Sequence, residues 1–186
     1  MVCTLSSLES LRFYHCGMSS NRPGRSEAER HVVYEIEAMC RSAARYAEEW
    51  GSQVNLATPA GWEDAVFFLE ASLLHARTLV MLFGYPKAAE FEILSALALP
   101  EGIRDAFRAA FSHPEIAVGE AYGQLSELVA HVGAARWDAP LGLGVQQPLE
   151  LAYSVLNALD SSGATAASEA ISETVESGRI RLTAAA

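Results

Sequence analysis

At 186 residues the chain is long enough for one domain with a real core and short of a comfortable two. Its 51% hydrophobic and 19% charged residues exclude a disordered chain. Lysine and arginine total 13 against 23 aspartates and glutamates. The net charge of −10 favours solubility and repels nucleic acid at long range, and no basic run of the kind that tracks phosphates is present.

Residues 1–25 read as an N-terminal extension, and residues 26–186 as a single helical bundle domain. The opening M-V-C-T-L-S-S-L-E-S-L-R lacks the basic start and continuous apolar block of a secretory signal. Ser19, Ser20, Asn21, Pro23 and Gly24 form a breaker cluster, and Met18 is an alternative start. The first strong helix is expected over about Glu27 to Trp50. Ser26 and Glu29 have the spacing of a capping box, and Val33, Ile36, Cys40, Ala43, Ala47 and Trp50 repeat at three and four. Gly51 is its expected stop.

A second helix is expected from about Pro59 to Phe83, after Thr58 as cap. It is apolar nearly all round, which suits the centre of a bundle or an oligomer interface. Its longest apolar stretch, Ala71–Phe83, contains His75 and Arg77 and is too short to cross a bilayer. Shorter helices are expected at Lys87–Leu97 and Glu101–Phe111, then a long one from Pro114 to about Gly133 or Ala135. Asp138–Gln147 reads as a loop. Pro148 opens a helix to about Leu159, and a last one covers about Thr165–Ser177, with no clear pattern in the tail R-I-R-L-T-A-A-A. Nothing alternates like a strand. The expected fold is all-α, an up-and-down bundle of four to five main helices with short accessory ones. Its expected core is Val33, Ile36, Val66, Leu69, Leu73, Val80, Leu125, Leu128, Leu151, Val155 and Leu159.

Three widely spaced cysteines, Cys3, Cys16 and Cys40, with no C-x-x-C pair, suit a reducing compartment, so the expected location is cytoplasmic with no membrane. Cys40 falls on the apolar stripe and reads as a small core residue.

The functional clue is polar groups set into apolar helices, because such groups need partners. Glu70, His75 and Arg77 lie in the second helix, and His131, Arg136 and Trp137 in a later segment, A-H-V-G-A-A-R-W. At about 100° per residue, Glu70 and Arg77 share a face, while His75 stands roughly 200° from Arg77 and meets a different neighbour. Glu120, Gln124, Glu127 and His131 line one helical face that reads first as a solvated polar face with a single buried histidine; carboxylate–imidazole ligation is the alternative, without the two Glu-x-x-His pairs of di-iron bundles or an H-E-x-x-H zinc pattern. No metal and no cofactor are assigned. Arg108 and His113 have an R-x4-H spacing that resembles the motif of HEPN-type ribonucleases, in which arginine steadies phosphate charge and histidine moves the proton.

The segment E-x-x-L-L-H-A-R-x-L over Glu70–Leu79, followed by Ala130, His131, Val132 and Arg136, resembles a group of uncharacterised bacterial helical proteins similar to distant HEPN-type bundles. The chain departs from that pattern at Gly133, where a threonine or similar residue is expected. The resemblance spans about Glu27 to Trp137. It implies an RNA-directed ribonuclease or a toxin- or defence-related protein, with His131, Arg136 and Arg77 as catalytic residues, or Arg108 and His113 in place of the first two. Three function classes follow. The first is a binding or interaction bundle, self-associating as a homodimer or with a protein partner, using Glu70, His75, Glu127 and Trp137 as binding residues. The second is the HEPN-like ribonuclease. The third is a metal enzyme built on Glu70, Glu120, Glu127 and His131.

Overall fold

In the computed structural model, which describes residues 23–51, 59–113 and 146–186, the first helix starts at a glycine. The Gly24 carbonyl accepts the backbone N–H groups of Glu27 and Ala28, so helix α1 (Arg25–Gly51) begins just ahead of Ser26. Glu29 is bonded by Arg25 Nε at 3.1 Å, so the capping box expected at Ser26 and Glu29 is replaced by an i,i+4 ion pair.

The buried stripe of α1 runs through Ala28, Val32, Ile36, Met39, Cys40, Ala43, Tyr46 and Ala47. Val32 takes the place expected for Val33, which is only half-buried. Tyr46 and Met39 join the stripe at its far side. The spacing is that of one helical face, turned slightly from the one read in the sequence.

Helix α2 (Pro59–Gly84) runs antiparallel to α1, since Glu35 meets His75 while Arg45 lies over the Phe68 ring. It buries Ala65, Leu69, Leu73, Ala76, Leu79, Val80 and Phe83, the largest of which contribute roughly 1.5–3 kcal/mol each on leaving water. Helices α3 (Ala88–Ala96) and α4 (Ile103–Ala110) follow. The Glu90 carboxylate accepts the Lys87 backbone N–H at 3.0 Å and fixes the first turn of α3. Gly102 precedes α4 at φ +83°, a conformation that favours glycine. Phe83, Phe107 and Phe111 stack in sequence and clamp α4 onto α2.

The C-terminal part consists of α5 (Gln146–Ser161), the single turn α6 (Ala164–Ala167) and α7 (Glu169–Ala185). The expected last helix is divided at Ser168, whose extended backbone ends α6 and whose Oγ accepts the Ile171 N–H at 3.3 Å to cap α7. The tail that lacked a pattern is helical to Ala185, because Ile171, Val175, Gly178 and Leu182 form one buried face.

Among the described residues the fold is all-α, seven helices and no strand. Helix α1 is its hub and packs against α2, α7 and α5. Of the expected core, Ile36, Leu69, Leu73, Val80, Leu151, Val155 and Leu159 are buried, and Val66 packs half-buried against them. Leu125 and Leu128, with the long helix expected from Pro114 and most of the loop after it, lie outside the described residues.

Candidate functional site

Glu35 sits among the buried positions of α1, three residues from Val32 and four from Met39. A carboxylate there, 7% exposed, loses most of its hydration and needs a partner from another helix. That partner is His75 of α2, whose Nδ1 lies 2.7 Å from Glu35 Oε2. A carboxylate only accepts, so the shared proton belongs on the imidazole nitrogen. Tyr34 stands edge-on to the same imidazole, ring centroids 5.6 Å apart and planes at 84°. The pair ties α1 to α2 at this level of the bundle and orients the imidazole.

The side of α2 turned away from the core has a different character, and His75 stands at its edge. Apart from the buried face, a stripe recurs at three- and four-residue steps through Asp64, Phe67, Ala71, Leu74, Thr78 and Met81, and every one of these is exposed or half-buried. Phe67 is 58% exposed and Leu74 44%, and Tyr34 of α1 adds a ring 59% exposed beside His75. The charged Glu63, Glu70 and Arg77 flank the stripe. Over Glu63–Gly84 the helix is apolar for 22 residues, yet less than half of its most apolar stretch is buried. By length and composition alone it could cross a membrane, a property that core helices of soluble proteins share.

The residues singled out in the sequence have different outcomes. His75 finds Glu35, the different neighbour that its angle on the helix required. Glu70 and Arg77 are half-buried along the outer stripe, on the same side of α2. His131, Arg136, Glu127 and Trp137 lie outside the described residues, as does Glu120. Arg108 and His113 are both half-buried. The Arg108 guanidinium lies 4.4 Å over the Tyr85 ring and 3.9 Å from Asp105, at the end of α4. Among the described residues, no three histidines, cysteines, aspartates or glutamates are grouped so as to hold a metal ion.

Sequence reasoning missed Glu35, Tyr34 and the exposure of Phe67 and Leu74. Glu35 carried a signal, a carboxylate interrupting an i,i+3,i+4 apolar stripe. Phe67 and Leu74 did not, because on a helix apolar all round nothing in the periodicity separates inner from outer face.

Searches with the chain found no matching family model, no matching curated protein and no matching solved structure.

Proposed function

We propose that the chain is a helical interaction protein of the cytoplasm that associates with itself through the outer face of α2. The observation that carries this reading is the continuous unburied stripe on the most apolar of its long helices, with Phe67 and Leu74 one above the other. Exposed apolar residues scattered singly are ordinary, whereas a run of them on one helix face marks a surface that gains by being covered. Phe67 and Leu74 are about half exposed, so covering them supplies roughly 1–1.5 kcal/mol each, against the cost of association. The Glu35–His75 pair beneath supports that surface by holding α2 in a fixed register on α1.

Sedimentation velocity of the full chain over a range of concentrations tests the reading. The parent protein is expected to dimerise, and the double variant Phe67→Asp, Leu74→Asp to sediment as a monomer with unchanged helix content by circular dichroism. A parent that stays monomeric, or a dimer indifferent to both substitutions, sinks it. RNA degradation abolished by His131→Ala or Arg77→Ala would replace it with the ribonuclease reading. Stoichiometric metal found by elemental analysis would replace it with the metal-enzyme reading.

A further inference from the structure

We propose that the occupant of the outer α2 face is the same face of a second copy, laid antiparallel about a two-fold axis beside Ala71. The proposal rests on the self-association reading and adds the direction and register of the pairing.

The charges along the stripe decide the direction. Glu63 and Asp64, both exposed, stand at its N-terminal end, and Arg77 stands near its C-terminal end. Parallel pairing would bring the two acidic N-terminal ends together and set no acid of one copy beside Arg77 of the other. Antiparallel pairing sets Arg77 of each copy beside Glu63 and Asp64 of the other, so both ends become attractive; Glu70, half-buried and already engaged within its own chain, meets its counterpart near the axis, one repulsion set against two attractions. The guanidinium has five donors and can take up these contacts in addition to those it makes within its own chain.

Shape agrees with charge. The midpoint between Phe67 and Leu74 falls between Glu70 and Ala71, so the antiparallel register places each Phe67 against Leu74 of the second copy. Ala71, the smallest side chain of the stripe, then sits beside the axis, where two helices approach most closely. A closed, isologous pair results, with each large apolar side chain covered once and no repeating edge left over.

Cysteine cross-linking of the full chain, with Cys3 and Cys16 changed to serine, tests the geometry. Near the axis, Ala71→Cys is expected to give a disulfide-linked dimer under mild oxidation. Thr78→Cys is not, since the two cysteines would stand about 22 Å apart along the helices, far beyond the ~7 Å that a disulfide spans between Cα atoms. Mixing Phe67→Cys with Leu74→Cys is expected to give the mixed dimer in preference to either like pair. A charge swap gives a second readout. Arg77→Glu is expected to weaken dimerisation about tenfold, and adding Glu63→Lys and Asp64→Lys to restore it. Cross-linking of Thr78→Cys to itself, or no recovery in the charge swap, overturns the antiparallel register while leaving self-association standing. A parent chain that sediments only as a monomer overturns both.

Discussion

At the scale of single residues, the Glu35–His75 pair is where burial and charge conflict most directly. The Glu35 side chain is 9% exposed and that of His75 16%, so Glu35 has little water to fall back on if His75 is removed. His75→Ala therefore leaves a buried carboxylate with its main partner gone, and is expected to cost about 1–3 kcal/mol in urea denaturation. Glu35→Leu together with His75→Leu is expected to recover most of that loss, because a well-packed apolar pair carries no desolvation cost. A His75→Ala protein as stable as its parent would show that the pair holds nothing in place. The need of His75 for a partner was legible in the sequence, since an imidazole in an apolar helix must find one. The identity of that partner was not. It depends on how far α1 slides along α2, which is set by side-chain packing between the helices rather than by the periodicity of either.

At the scale of elements, α1 and α7 approach at a contact that only glycine permits. A Cβ at Gly178 would lie 2.8 Å from Cys40 Sγ and 3.4 Å from Leu156 Cδ1, inside ordinary contact distance for the sulfur. Gly178→Ala is expected to destabilise the protein by about 1–3 kcal/mol through overpacking. The penalty should shrink markedly in a Cys40→Ala background, where the sulfur is gone. Equal costs in the two backgrounds, measured as a double-mutant cycle, would show that the crowding lies elsewhere. The long helices were legible within a residue or two, because the apolar repeat runs through α1, α2 and α5 and breakers such as Pro59, Gly84 and Gly51 stand at their ends. The tail after Ser177 was not. Leu182 is its one strongly apolar inward-facing residue, and it reads as part of a stripe only once Gly178 is counted as a buried position. The candidate surface was legible only as an excess of apolar residues on α2, with its direction hidden.

At the scale of the whole molecule, two acidic protons are held inside the core. Burial pushes the Cys40 thiol from 9.0 up to about 12, with Arg181 pulling the other way, and burial likewise pushes the Tyr46 hydroxyl from 10.0 up to about 12. Below pH 9 both groups are protonated whether the chain is folded or not, and their contribution to stability is fully present. Between pH 9 and about 12 the unfolded chain gives up these protons while the folded protein keeps them, so stability falls as pH rises, by about 1.4 kcal/mol per pH unit for each group fully within its window. Urea midpoints measured from pH 8 to 10.5 should decline, and Cys40→Ala should flatten the early part of the decline. A parent curve level across that range would contradict this account. The hub position of α1 has one more consequence. Arg25 Nη2 donates to the Ala167 carbonyl at 2.8 Å across 142 residues of chain, and Cys40 waits for Gly178 from the far end of the fold. A ribosome adds roughly 5–20 residues each second. The inner flank of α1 therefore spends on the order of ten seconds in the nascent chain without its final neighbour. Early pairing with α2 can shelter one flank, and the other stays open to chaperones until α7 emerges.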